Sequence, residues 1–337
     1  MHSLPFFTTS PFLTSRYALR QRHLRHQTTP TSTVTRPSSP IAQAGEHDLT
    51  VVGAGVLGRR IAQQWHELHA DAVIHAETLS TAAHAGLKAA HPFLQVRTAD
   101  TVDVPRTPQV VFCAPPSGTA DYVDAVQRAV ERVWSGDAGT LVFTSSVGVY
   151  AEPSADEDAS PLTEQSPVTA DAGHSSNAAK LLACERVVLD AGGTVVRLAG
   201  LYTLERGPHH VWLTRGRATG DPNGLISLIS YDDAARAIVG ALVRQLRRET
   251  LLVVDGCPMT RRAICASARQ SRRYQMHAMP QFVSATGEAF LERPPHGRRY
   301  DNTYTRRLLG DFQPADASFA AFMDQVAAAE TAAPSAA

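Results

Sequence analysis

Three glycines between residues 50 and 60 have the spacing of a phosphate-binding turn. Gly53, Gly55 and Gly58 follow an apolar run and precede a stretch of helical apolar spacing, in the order G-x-G-x-x-G. In such a turn the first glycine permits a tight bend, the second lets the backbone approach a pyrophosphate, and the third lets the helix pack closely on its strand. The helix N-terminus adds free N–H groups and a partial positive charge. The pattern predicts a dinucleotide-binding βαβ unit, with Val56 and Leu57 among the ligand contacts.

Two polar residues after the second predicted strand, Glu77 and Thr78, lie where the ribose of a bound dinucleotide is expected. An acidic residue about 20 positions past the glycines bonds the ribose hydroxyls of NAD. No arginine stands beside Glu77 in the sequence to pair with the 2′-phosphate of NADP, although Arg59 could do so. NAD is therefore slightly favoured over NADP. The alternative is that Glu77 is only a solvated surface residue.

Two further strand ends supply candidate contacts. Residues 109–114 (QVVFCA) form a predicted strand, and the chain leaves the sheet at Pro115 because proline cannot continue a central strand. Ligands of open α/β sheets lie beyond the carboxyl ends of the strands, so Ala114 and Pro115 are candidate cofactor contacts. The next predicted strand ends immediately before Ser145 and Ser146.

The elements that must position these residues alternate between strand and helix. Helices of about 10–15 residues between apolar strands indicate a parallel sheet with right-handed crossovers, which is an α/β, doubly wound, Rossmann-type fold. Residues 152–175 are predicted to be a loop, and residues 200–224 an irregular segment. The predicted strands are residues 48–52, 72–75, 94–97, 109–114, 140–144, 194–198, 226–229 and 251–254. The first helix carries a predicted core stripe of Leu57, Ile61, Trp65 and Leu68.

Composition narrows the possible functions. The chain has 32 basic and 32 acidic residues, which gives no support for nucleic-acid binding driven by bulk charge. No run of about 18 apolar residues occurs, so a membrane span is not expected. The four cysteines lack C-x-x-C spacing and are expected to be buried free thiols, and no metal site is predicted. Lys88 and Lys180 are the only lysines, against thirty arginines, so a lysine is retained where arginine could not replace it.

The first 46 residues have the composition of an organelle transit peptide. Up to Gly45 they lack Asp and Glu, contain several arginines and are rich in Ser and Thr. The abundance of Ser and Thr favours a chloroplast over a mitochondrion, and a disordered tail is the alternative. Residues 47–326 are then one NAD(P)-binding domain, whose substrate lobe is built mainly from residues 200–228 and 256–300. Residues 327–337, rich in alanine, are predicted to be a disordered tail.

Several motifs in order resemble those of the extended, partly atypical short-chain dehydrogenase/reductases, the NAD-dependent epimerase/dehydratase group. The resemblance covers about residues 48–326. It rests on GAGVLG at 53–58, FTSSVGVY at 143–150, VVRLAGLY at 195–202, LISYDDAARAIVGAL at 228–242 and RRYDNTYTRRLLGDFQP at 298–314. It implies an NAD- or NADP-binding oxidoreductase or epimerase/dehydratase that acts on a small carbonyl or sugar-nucleotide-like substrate.

The resemblance also implies four catalytic parts: a nicotinamide, a serine, a tyrosine and a lysine four residues after the tyrosine. Ser146 matches the serine, with Ser145 beside it, and Lys180 matches the lysine in one alignment. Ser176 then stands at the tyrosine position. An alignment on Glu185 instead places Asn177 at the tyrosine position and Leu181 at the lysine position.

No tyrosine lies between Tyr150 and Tyr202. General acid–base catalysis contributes about 10²–10⁴-fold, so this departure matters. Tyr150, His174 or Tyr202 could supply the proton from elsewhere, or each could be an ordinary packing or surface residue. Two functions remain open: an enzyme with an altered proton donor, and a non-catalytic dinucleotide-binding sensor, scaffold or assembly factor.

The substrate lobe contains residues that could contact an anionic or ring-bearing ligand. Arg206, Trp212 and Arg215 lie after Gly200 in the segment expected to build most of the pocket. The alternative is that the arginines are surface residues and that Trp212 only packs. The sequence predicts a pocket here but not the identity of its substrate.

Overall fold

A computed structural model of the 337-residue chain describes residues 44–136, 139–152, 160–169, 177–284, 286, 290 and 294–332. Nearly all of the predicted transit segment lies outside the described residues, as do His174 in the predicted loop and Ser176 just after it. The strands and helices, in chain order, are β1 (Leu49–Val52), α1 (Val56–Leu68), β2 (Ile74–Thr78), α2 (His84–Ala90), β3 (Leu94–Thr98), β4 (Gln109–Phe112), α3 (Tyr122–Val133), β5 (Thr140–Ser146), α4 (Asn177–Asp190), β6 (Thr194–Leu198), β7 (Gly200–Tyr202), α5 (Pro208–Arg215), β8 (Arg217–Thr219), β9 (Leu225–Ile226), β10 (Leu228–Ser230), α6 (Tyr231–Val243), β11 (Thr250–Val253), β12 (Met259–Thr260), α7 (Arg261–Ala268), β13 (Gln281–Val283), α8 (Thr303–Leu308) and α9 (Phe319–Ala332).

The central sheet has seven parallel strands in the order β11-β6-β5-β4-β1-β2-β3. Its inner strands are fully buried, as expected when helices cover both faces of a parallel sheet. Chain order runs outward in both directions from the adjacent strands β1 and β4. Their carboxyl ends therefore open a crevice at a topological switch point, where ligands of such sheets bind. The α/β, doubly wound fold predicted from the sequence is confirmed.

Helices cover the two faces of this sheet and divide its core. One apolar cluster joins α1 and α6 to the sheet through Ile61, Trp65 and Ile238, all of which are buried. The other joins α3 and α4 to the opposite face through residues such as Val126 and Val188. Leu68, expected in the α1 core stripe, is instead exposed because it is the last residue of the helix.

The lobe beyond the sheet is more ordered than the sequence suggested. Residues 200–224, expected to be irregular, contain β7, α5 and β8. Three two-strand pairings (β7–β10, β8–β13 and β9–β12) hold the lobe together. A third apolar cluster packs α5, α7 and α9 around Tyr202, Leu213, Ile264 and Phe319. The paired strands of this lobe have only two or three residues each, which is too short for the apolar periodicity of the sequence to reveal.

Other boundaries also differ from the sequence prediction. β2 continues through Glu77 and Thr78, which were expected to follow the strand, and α2 comes after it. The C-terminal helix α9 extends to Ala332, beyond the predicted start of a disordered tail at Ala327, because its alanines have high helix propensity. All four cysteines are free, but Cys257 is exposed and Cys113 is half-buried, so the expectation that all would be buried was wrong for these two. Among the helices that the structure describes, none combines the length and apolar character needed to span a bilayer.

Candidate functional site

The three glycines of the turn differ in what surrounds them. Gly53 has φ of +104°, and a Cβ there would lie 2.4 Å from the backbone nitrogen of Ala114. A Cβ on Gly58 would lie 2.2 Å from the carbonyl oxygen of Gly53. A Cβ on Gly55 would meet nothing within 4 Å. Gly53 and Gly58 are therefore required by close backbone packing, whereas Gly55 borders open space.

The N-terminus of α1 follows Gly55 directly, and its first backbone N–H groups have no intrahelical partner. The first intrahelical hydrogen bond runs from Arg59 N to Gly55 O at 3.0 Å, so the N–H groups of Val56, Leu57 and Gly58 precede it. No side chain caps this end, and its first turn contains no acidic residue. Such an end binds anions through its free N–H groups and its partial positive charge. The surroundings of Gly55 and of these amides fit a pyrophosphate.

A cavity of about 590 Å³ opens above these residues at the carboxyl ends of β1, β4 and β5. The structure brings most of the predicted cofactor contacts together in its walls. These are Gly53, Gly55, Val56, Leu57, Gly58, Ala114, Pro115 and Ser145, joined by Ser146. Arg206 also lines it, as expected for the substrate lobe, whereas Arg215 is exposed and Trp212 packs in the third apolar cluster. Tyr122 and Tyr231 were not predicted and line it as well.

The two predicted ribose contacts do not line this cavity. The carboxylate of Glu77 is fully buried and accepts hydrogen bonds from Arg97 Nε at 2.8 Å and Arg132 Nη2 at 2.5 Å. The hydroxyl of Thr78 donates to the carbonyl of Ser80 at 2.8 Å. The sequence showed no arginine beside Glu77, yet the fold supplies two. Arg97 is its cross-strand partner on β3, and Arg132 comes from α3.

Ser145 and Ser146, at the end of β5, have different roles. Ser145 Oγ donates to Glu185 Oε1 at 2.5 Å, and Glu185 forms a two-point ion pair with Arg197 at 2.8 and 3.1 Å. This pair is buried, so Ser145 belongs to an internal polar network. Ser146 Oγ accepts from Gly148 N at 3.1 Å. Because that bond uses a lone pair, the Ser146 hydroxyl retains its hydrogen for a ligand oxygen.

Helix α4 presents Leu181, and not Lys180, to the cavity. Consecutive helical residues point about 100° apart, so the two side chains cannot share one direction. Glu185, on the same helix, faces β5 and β6 through Ser145 and Arg197. This geometry matches the alignment based on Glu185, in which Asn177 and Leu181 occupy the tyrosine and lysine positions. The expected placement of Lys180 at the site is therefore not observed.

The described tyrosines considered as replacement proton donors do not line the cavity either. Tyr150 is fully buried beneath the guanidinium of Arg197, 4.8 Å from the ring centre, and burial raises the pKa of its phenol. Tyr202 packs edge-on against Phe319 at 5.0 Å, and burial likewise raises its pKa. Both are core residues in this structure.

A second cavity, of about 400 Å³, adjoins the first, and Ser146 lines both. Its polar walls contain Tyr300, Arg298, Arg261 and His296, none of which was predicted to be a site residue. Burial raises the pKa of Tyr300, and the neighbouring positive charge of Arg298 opposes that rise. The segment RRYDN is one of the motifs that carry the family resemblance, and the fold brings it to the cavity that Ser146 lines. Among the described residues, no group of three or more His, Cys, Asp or Glu side chains could hold a metal ion.

No protein-family model and no curated protein matches this sequence. Solved structures do match its fold. A functionally unknown conserved protein from Silicibacter pomeroyi has 16% identity and a TM-score of 0.63, with 84% of this chain and 99% of that chain covered. The dTDP-glucose 4,6-dehydratase of Bacillus anthracis, in complex with NAD, has 14% identity and a TM-score of 0.61, with 83% and 94% covered. The UDP-glucuronic acid 4-epimerase of Bacillus cereus, in complex with UDP-glucuronic acid and NAD, has 14% identity and a TM-score of 0.62, with 83% and 99% covered. At these identities the likeness establishes that this chain has the Rossmann-type fold of NAD-dependent dehydratases and epimerases.

Proposed function

We propose that this chain binds NAD or NADP across the turn from Gly53 to Gly58 and belongs to the epimerase/dehydratase group of short-chain dehydrogenase/reductases. The observation that carries the proposal is the open space at Gly55 beside the uncapped N-terminus of α1, within a cavity that reaches Ser146. Similarly folded enzymes have been solved with NAD. Calorimetric titration of the chain with NAD and NADP tests this proposal. Failure of both to bind would overturn it.

The reaction that this geometry supports best is hydride exchange with a small carbonyl compound. A bound nicotinamide supplies the hydride chemistry. Ser146 lies where the two cavities meet, and its free hydroxyl hydrogen can bond the carbonyl oxygen of a substrate in the second cavity. Tyr300, in the wall of that second cavity, is the phenol best placed among the described residues to exchange a proton with that oxygen.

A non-catalytic role is the second candidate, and α4 favours it. Leu181 lines the first cavity where the family resemblance implies a lysine, so no ammonium group there lowers the pKa of a phenol. Under this alternative, the dinucleotide stabilises the protein but no carbonyl compound is reduced. Substrate-dependent oxidation of NADH or NADPH across a panel of carbonyl compounds would eliminate it.

The cellular location that we propose is a chloroplast, with a mitochondrion as the alternative. The proposal rests on the arginine-rich, acid-free composition of the first 45 residues. Fluorescence microscopy of the full chain, compared with a version that starts at residue 47, tests it. Identical cytosolic distributions would contradict it.

A further inference from the structure

Arg261, the first residue of α7, packs closely against a loop that contains two glycines. A Cβ on Gly224 would lie 2.2 Å from Arg261 Nη1, and a Cβ on Gly220 would lie 2.9 Å from its Cζ. Gly220 also has φ of +107°. The backbone N–H of Arg261 donates to Gly224 O at 3.2 Å, which fixes the helix end to the loop. Arg261 also lines the second cavity, so this close packing holds its guanidinium at the cavity wall.

The charge of Arg261 has no carboxylate within 4 Å among the residues that the structure describes. Its Nη1 donates to a backbone oxygen, that of Asp221, at 3.2 Å, and its buried Nε has no partner in the described part of the chain. Burial lowers the pKa of this guanidinium. The charge of the buried Asp221 carboxylate, which lies beyond salt-bridge distance, opposes that shift. An anionic ligand at the cavity wall would stabilise this half-buried cation further.

Arg298 is the second arginine among the described residues that line this cavity. Arg298 Nη2 pairs with Glu152 at 2.6 Å, but that carboxylate is 78% exposed and is therefore a weak partner. The buried Nε of Arg298 has no partner among the described residues. The ring of His296 also lines the cavity, with its Nε2 3.6 Å from the Asp221 carboxylate. Among the described residues that line the cavity, Arg261 and Arg298 thus face one carboxylate, the solvated Glu152. The buried carboxylate of Asp221 does not line the cavity but interacts with His296 and with the charge of Arg261.

The size of the cavity limits the ligand. Its volume of about 400 Å³ lies near the lower end of known ligand pockets. A compact acid fits within this space.

From these observations we propose that the second cavity binds a small carbonyl compound bearing one phosphate or carboxylate group, and that Arg261 holds the anionic group. This inference rests on the proposed function only for the position of the carbonyl at Ser146. It departs from the sugar nucleotides bound by some similarly folded enzymes.

The test is calorimetric titration of the full chain, in the presence of NAD and at constant ionic strength. Three probes are used: dihydroxyacetone phosphate, pyruvate and UDP-glucose. We expect one of the two small acids to bind, and the arm that binds distinguishes a phosphate from a carboxylate ligand. Loss of charge-assisted hydrogen bonds in Arg261→Gln should weaken that binding by about 10- to 100-fold. Arg262→Gln is the matched control, because Arg262 is the next residue of α7 and packs over the ring of Phe282, away from the cavity.

Three results would overturn the inference: neither small acid binds, Arg261→Gln binds the acid as tightly as the wild type, or UDP-glucose binds more tightly than both acids. A fold defect in Arg261→Gln is detected by its melting temperature without ligand, which should stay close to that of the wild type because this side chain makes one weak hydrogen bond, to the backbone oxygen of Asp221, within the described part of the chain. Its affinity for NAD should be unchanged. If neither NAD nor NADP binds the wild type, the proposed function fails. The titrations with the two acids can then be repeated without dinucleotide, and they still test whether Arg261 holds an anionic ligand.

Discussion

Substitution of Gly55 by alanine separates ligand binding from folding more sharply than any other change in the turn. Its φ of −77° and ψ of −157° are open to any residue, and the new Cβ would touch no protein atom within 4 Å. Stability should therefore change by less than about 1 kcal/mol, which is the usual scale of an unstrained Gly→Ala substitution. The new methyl group would instead occupy the space through which a pyrophosphate approaches the α1 amides.

The expected loss of dinucleotide affinity follows from the displaced hydrogen bonds. Each bond from a backbone N–H to a charged phosphate contributes about 1.5–3 kcal/mol, so losing one weakens binding about 10- to 100-fold. Calorimetric titration with NAD and NADP measures the affinity, and urea unfolding measures the stability. Gly86→Ala is a matched control, because a Cβ there also meets nothing within 4 Å but lies on α2, outside the cavity walls.

Gly58→Ala, in contrast to Gly55→Ala, should lower the stability of the fold. Its Cβ would come within 2.2 Å of a backbone oxygen, so the turn must shift, at a cost of about 1–3 kcal/mol of stability. The reasoning is refuted if Gly55→Ala binds the dinucleotide as tightly as the wild type, or if Gly55→Ala and Gly58→Ala lose equal stability.

Four further changes test other parts of the account. Ser146→Ala should abolish any carbonyl-dependent oxidation of NADH or NADPH while dinucleotide affinity stays within about twofold, since this side chain is assigned to the substrate; retained turnover would contradict that role. Glu185→Gln should lower the free energy of unfolding in urea by about 3–5 kcal/mol, because it leaves the buried charge of Arg197 unpaired; a loss below about 1 kcal/mol would show that the pair is dispensable. Burial raises the pKa of Asp255 to about 7, so the folded protein binds more protons than the unfolded chain between about pH 4 and 7, and this group's contribution to stability is present below pH 4 and lost as the pH rises through 7. The stability of Asp255→Asn relative to the wild type should therefore increase from pH 4 to pH 8, and a difference independent of pH would be evidence against the raised pKa. Lys180→Gln should leave NAD affinity unchanged. A tenfold loss of NAD affinity would show that Lys180 belongs to the cofactor site, as the sequence first suggested.

The sheet and the glycine turn could be predicted from the sequence because each is encoded by a short, continuous stretch of residues. Apolar strands, helical stripes and the glycine spacing each occupy a short window of chain, and the parallel Rossmann order follows from their alternation. The assignment of separate tasks to Gly53, Gly55 and Gly58 also agrees with the space around each one.

The polar parts of the site were less predictable because they depend on distant partners. Glu77 was assigned to a ribose, but cross-strand register brings Arg97 to its carboxylate and helix packing adds Arg132. Lys180 and Leu181 are adjacent in sequence, and only the rotation of α4 decides which one lines the cavity. Arg261 and Tyr300 come from segments far from Ser146 in the chain, so no local sequence motif could show that they line the same cavity.

A crystal structure of the chain with bound NAD tests the central claim most directly. The account predicts that the pyrophosphate lies against the amides of Val56, Leu57 and Gly58, that the nicotinamide reaches Ser146, and that its C4 faces the second cavity. A dinucleotide bound elsewhere, or a nicotinamide turned away from Ser146, would contradict it.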